Sequence, residues 1–119
     1  MSQRGFPGFF ATLQYENSPH ISPERVVSVL GVKRRELAEI CRLRPERFRL
    51  APTSADVQGS LRNLVRVLGA AYDRFDDERQ LVFWFKNCPI APCGYLTPAE
   101  LCAQGRAVDL LECLATQRS

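Results

Sequence analysis

The chain reads as an all-α protein, a small multi-helix domain, and three features of its sequence lead there. Leu61, Leu64, Val65, Leu68, Tyr72 and Phe75 recur at helical spacing and draw one continuous apolar stripe. Two segments carry compact helix-start signals, Ser22-Pro23-Glu24-Arg25 and Thr97-Pro98-Ala99-Glu100. No stretch alternates apolar and polar residues with the two-residue period of a half-buried strand.

Taken in order, residues 1–20 hold Gly5, Pro7, Gly8 and Pro19 among scattered aromatics and show no helical period. They are expected as an arm, flexible unless Phe6, Phe9 and Phe10 dock on the body or on a second subunit. At Ser22 the helices begin. Its hydroxyl suits the free N–H groups of a first turn, Pro23 fits the first helical position, and Gly31 ends the run after Val26, Val27 and Leu30. A second helix, about Lys33 to Leu43, puts Leu37, Ile40 and Cys41 on one side. Arg44-Pro45 breaks it and opens a third, short turn from Glu46 to Leu50, and Ala51 to Ser54 is a loop.

The striped helix then runs from about Ala55 to Phe75, as core or as a dimer seam if its far face, with Val67 and Ala71, is also apolar. Asp76-Asp77-Glu78 places negative charge at the start of a fifth helix, where the dipole favours it. Because Leu81 to Phe85 are apolar all round, this helix is expected to be the central, most buried element. Asn87 to Leu96 form a loop rich in Pro and Gly. Thr97 to Glu100 is a capping box, Gly105 stops the short helix it opens, and a last helix from about Arg106 to Ala115 shows Val108, Leu111 and Leu114. The expectation is about seven helices in three regions: an arm (1–20), a helix-turn-helix-like part (21–59) and a helical module (60–119).

Composition excludes several classes. With 45% hydrophobic and 24% charged residues in 119, the chain suits one globular core. The longest apolar run, Leu81 to Phe85, is far short of the ~20 residues of a membrane helix. The first ten residues lack the apolar stretch and cleavage site of a secretory signal. Five cysteines without such a signal read as reduced thiols in a cytoplasmic protein, with Cys102 and Cys113 as small core residues. Cys88 and Cys93 flank the Pro-containing loop and are expected to be partly exposed. No CxxC occurs and the single histidine, His20, is remote, so neither metal nor cofactor is expected. Asp76-Asp77-Glu78 would diverge around a helix axis, which suits capping better than metal binding. There is no glycine-rich phosphate loop and no serine elbow, so the chain is not expected to be an enzyme.

Charge is uneven. Residues 1–66 carry 11 basic and 6 acidic side chains, whereas residues 67–119 carry 5 and 7. Two short helices, a tight turn and a basic third helix follow helix-turn-helix logic, in which the last helix enters the major groove. Candidate DNA contacts are Arg44, Arg47 and Arg49, flanked by Lys33, Arg34 and Arg35. The other reading of the same residues is a solvated basic face.

The run Phe83-Trp84-Phe85, then Asn87, Pro89, Gly94, Thr97-Pro98-Ala99-Glu100-Leu101, Gly105-Arg106, Val108, Leu111 and Leu114 resembles the toxin-binding domain of Xre/MbcA/ParS-type antitoxins. The resemblance covers residues 60–115 or so, and the family's helix-turn-helix-like front also fits residues 22–60. It implies a type II toxin–antitoxin system whose partner is a RES-domain toxin, an NAD-degrading enzyme neutralised by covering its active-site mouth. It also implies a homodimer and repression of its own operon. On that resemblance Trp84, Pro98 and Leu101 build the module and Gly94 and Gly105 allow its turns. Arg106, Asp109 and Glu112 would face the toxin, together with the tail from Thr116 through Arg118 and Ser119. The alternative is a stand-alone DNA-binding transcriptional regulator that uses the C-terminal module for oligomerisation. A third reading is a structural adaptor with no toxin.

Overall fold

The computed structural model describes residues 5–116, and every regular element among them is helical. The α-helices are α1 (Gly5–Ala11), α2 (Pro23–Leu30), α3 (Arg34–Cys41), α4 (Pro45–Leu50), α5 (Ala55–Ala71), α6 (Glu78–Asn87), α7 (Pro98–Ala103) and α8 (Ala107–Thr116). Short 3-10 turns at Tyr72–Arg74 and Ala91–Cys93 lie in the connections before and after α6. Two isolated β-bridges, Gln14 with Ile21 and Ile90 with Leu96, close loops without forming a sheet. The all-α class is therefore what the structure has.

The helix starts follow from local chemistry. Ser22 Oγ accepts the Arg25 N–H at 3.2 Å, with Pro23 in the first turn of α2. Asp77 Oδ1 accepts the Gln80 N–H at 2.9 Å to open α6. At α7, Thr97 Oγ1 accepts the Glu100 N–H at 3.1 Å while the Glu100 carboxylate accepts the Thr97 N–H at 2.8 Å, a complete capping box.

Helix α5 is the axis of the molecule, and α3, α6 and α8 pack against it. Leu61, Leu64, Val65 and Leu68 are buried along its stripe, and so are Val67 and Ala71 on the far face. That far face is covered by the chain's own helices. The place of central element expected for α6 thus belongs to α5. Leu81, Trp84 and Phe85 of α6 are buried, but Phe83 is 67% exposed. A ten-residue helix with neighbours on one side has more apolar side chains than it has covered surface.

The N-terminal segment differs from its expected irregular form: α1 is helical, and it docks on the body. Phe9 is buried, and the Phe6 ring meets Tyr72 edge-on with centroids 5.6 Å apart. Gly69 makes that possible. A Cβ there would lie 2.9 Å from the Phe6 ring, so glycine in the last turn of α5 leaves the notch that Phe6 fills. Seven residues are too few to display a period, and such a helix needs tertiary contacts to persist.

In α8 the buried residues are Leu110, Cys113 and Leu114, with Leu111 half-buried, whereas Val108 is 64% exposed. The expected Val108–Leu111–Leu114 face is turned by about one residue, or ~100° of helix rotation. The Leu110, Cys113 and Leu114 spacing of i, i+3 and i+4 makes a narrower stripe that α5 and α7 cover.

Candidate binding surfaces

The six expected DNA contacts lie on α3 and α4 and their leading turns. Lys33, Arg34, Arg35, Arg44 and Arg49 are exposed, and Arg47 is half-buried. Positive charge at the start of α3 opposes the helix dipole, and acids compensate it. The Glu36 carboxylate accepts the Lys33 backbone N–H at 2.7 Å, and Arg34 pairs with Glu24. Arg47 is held by Asp56 at 2.8 Å and also donates to Ser54 Oγ at 3.2 Å. Among the described residues, Lys33, Arg35, Arg44 and Arg49 have no acidic side-chain partner. Four of the six expected DNA contacts are thus free, and Arg34 and Arg47 are engaged within the chain.

The Asp56 carboxyl is held well below the usual carboxylate range, first by hydrogen bonds from Arg47 and then by one from Ser54. A lowered folded value means that the stabilisation is complete above the unfolded value and disappears as pH falls through the folded one. Asp56 should therefore remain ionised at the pH where a free Asp side chain, near ~3.9, is half protonated. Carbon-detected NMR titration reads this directly, and Arg47→Gln should return the midpoint towards the ordinary value. An ordinary midpoint in the unaltered chain would remove the tie between α4 and the start of α5.

The second surface is that of α8. Arg106 Nε lies 3.0 Å from Asp109 Oδ2, so these two expected contacts partly satisfy each other at the first turn. Glu112 is exposed farther along the helix. Arg118 and Ser119 lie outside the described residues. At the other end of the helix the Arg74 guanidinium donates to the Leu114 carbonyl, tying α8 to the turn after α5.

Two concave features complete the surface. Phe83, Phe75, Trp84, Gln80 and Cys88 line an open, largely apolar groove of about 540 Å3 on α6. A narrower cleft of about 190 Å3 lies between α3, α5, α7 and α8, with Arg42 and Arg66 at its sides and Ser60 and Asn63 between them. Sequence reasoning counts Arg42 only within the basic excess of the front half and passes over Ser60, Asn63 and Arg66. The signal of these last three was present on the polar side of the striped helix, where Ser60, Asn63 and Arg66 follow one another at three-residue spacing.

His20 is exposed near the Ser18 hydroxyl. Asp77 caps α6, and Glu78 accepts from the Tyr72 hydroxyl at 2.9 Å. Cys93 is buried, against the partial exposure expected of it, because its 3-10 turn packs on α8; Cys88 is half-buried. Burial, with a neighbouring Cys102 thiol, pushes Cys41 up to about 12, and burial pushes Cys102 to about 11. Both are therefore neutral thiols at physiological pH. Among the described residues no cluster of three or more His, Cys, Asp or Glu is arranged to hold a metal. Nor is any helix among them long and apolar enough to cross a membrane.

The molecule is thus an all-helical domain that presents charged helix faces, a cleft and an apolar groove. Compared with protein-family models, curated proteins and solved structures, the chain matches none.

Proposed function

We propose that this protein is a cytoplasmic antitoxin of a type II toxin–antitoxin system, which binds and blocks an NAD-degrading RES-domain toxin and has no catalytic activity of its own. The observation that carries the reading is the build of the C-terminal half. Of the run that resembles the Xre/MbcA/ParS pattern, Trp84, Phe85, Pro98, Leu101 and Leu114 are buried in a module in which α6 and α8 pack on α7, while Phe83 and Val108 stay exposed. Arg106, Asp109 and Glu112 stay on its outer side. A neutraliser needs a rigid polar wedge, and acidic side chains on α8 suit arginines that would otherwise hold NAD phosphates. Homodimerisation and repression of its own operon belong to the same proposal.

Co-expression with a RES-domain toxin should restore growth and give a stable complex on pull-down. Simultaneous charge changes, Arg106→Glu, Asp109→Arg and Glu112→Arg, should abolish that complex while leaving the helical circular dichroism unchanged. Undiminished affinity in the triple variant would overturn the role given to α8, and failure of the unaltered chain to bind would overturn the antitoxin reading.

A second reading, a DNA-binding regulator, draws on Lys33, Arg35, Arg44 and Arg49, which have no acidic partner among the described residues. Salt separates the two. Operator binding through about four phosphates should weaken roughly 100-fold between 50 and 200 mM salt, whereas a toxin interface should change far less.

A further inference from the structure

We propose that the cleft between α3, α5, α7 and α8 is a binding site for a small organic anion, a carboxylate carried on an apolar body about the size of one ring. The inference stands apart from the antitoxin reading and concerns a surface that the toxin-facing residues do not form.

Size is the first argument. The cleft holds about 190 Å3, and an apolar cavity of about 150 Å3 accepts benzene, so one ring with a charged group suits it. Chemistry is the second. Ile40, Leu64 and Leu111 contribute apolar surface beside the neutral Cys41 and Cys102 thiols. Arg42 and Arg66 contribute the charge, with Ser60 and Asn63 as additional hydrogen-bonding groups. No Asp or Glu among the described residues lines the cleft, so its two guanidinium groups have no internal counter-charge there. An apolar floor offers nothing to a nucleic-acid phosphodiester, whereas a planar carboxylate matches a guanidinium fork.

The third argument is the way in which Arg42 is placed. It ends α3 in the left-handed conformation, φ 60°, where glycine is the usual occupant. Its side chain reaches across to α7, and Nη1 donates to the Ala103 carbonyl at 3.2 Å, leaving its other donors unused. Gly105, at φ +75°, makes room for this guanidinium, since a Cβ there would lie 3.3 Å from its central carbon. Arg66, Ser60 and Asn63 make no side-chain hydrogen bond among the described residues, so a ligand takes them without breaking an internal contact.

The test is a titration of the full, 15N-labelled chain with sodium benzoate, and with benzamide and sodium acetate as separate arms. Benzoate should give saturable shifts at Ser60, Asn63, Arg66, Gly105 and Ala107, with a dissociation constant of ~1 mM or lower. Benzamide lacks the charge and acetate lacks the body, and each should bind about tenfold more weakly or worse. Arg66→Gln, at an exposed residue with no internal hydrogen bond, should weaken benzoate by a similar factor and leave distant resonances in place. Arg42→Gln should do the same, with the Ala103 tie as its added structural effect. Equal binding of benzamide, undiminished binding by Arg66→Gln, shifts centred on the Phe83 groove, or no saturable shift at all would each overturn the proposal.

Discussion

Leu68→Ala is expected to lower the unfolding free energy by about 3–4 kcal/mol, out of a total that for such domains is roughly 5–15 kcal/mol. Leu68 is fully buried in α5, the helix against which α3, α6 and α8 pack, so the methyl groups lost cannot be replaced by a small shift of one neighbour. The residual cavity adds to the lost transfer energy. For a chain of this length the melting temperature should fall by roughly 10–20 °C. The informative control is Phe83→Ser on α6. Phe83 is a larger apolar residue in a denser apolar run, yet it is mostly exposed, and its replacement should stay within about 0.5 kcal/mol. Thermal melts of the two variants decide which helix is central. A Phe83→Ser loss as large as that of Leu68→Ala would make α6 the axis and overturn the packing described here.

The second large effect is expected at a polar residue. Gln58 is buried in the first turns of α5, and it serves the backbone of another segment as a strand partner would. Its Oε1 accepts the Ile21 N–H at 2.9 Å, and its Nε2 donates to the Ile21 carbonyl at 2.8 Å and the Pro52 carbonyl at 2.9 Å. Gln58→Leu has a suitable volume but strands those three groups, at a cost of about 2–4 kcal/mol. Gln58→Glu separates the parts, because it keeps an acceptor for the Ile21 N–H and loses both donations. Hydrogen exchange at the Ile21 amide should accelerate strongly in the Leu variant and less in the Glu variant. Wild-type protection in both would mean that Gln58 does not hold the segment before α2.

Much of the fold was legible because its signals are local. The Ser22 cap, the Thr97–Glu100 box and the breaks at Gly31, Pro45 and Gly105 each act within a few residues, and the helices begin and end near them. The Leu61–Tyr72 stripe also predicts its own burial, because a 17-residue helix repeats its period often enough to be read. Short elements were less legible. In α1 the docking of Phe9 and Phe6 depends on Tyr72 and on the notch at Gly69, more than fifty positions away. In α8 an excess of apolar residues left its orientation open by one position, and packing against α5 and α7 chose Leu110 over Val108.

The candidate surfaces divide in the same way. Charge counting found Lys33, Arg35, Arg44 and Arg49, which remain free of acidic partners among the described residues. It did not anticipate that Glu24 and Asp56, from neighbouring elements, would engage Arg34 and Arg47. Nor did it bring Arg42 and Arg66 to one cleft, since they lie on different helices and meet only when α3 and α5 pack.

By itself the sequence determined the helical class, the starts of the capped helices and the identity of the long apolar stripe, because capping, breaking and periodicity operate over a turn or two; the expected helix to Phe75 ends instead at Ala71, with a 3-10 turn after it. Only the tertiary structure decided that α5 rather than α6 is the axis, that α1 docks, and that two arginines share a cleft. Those outcomes depend on which surplus apolar faces find partners and which charges meet across the fold. Contacts between distant segments settle both, and no local pattern encodes them.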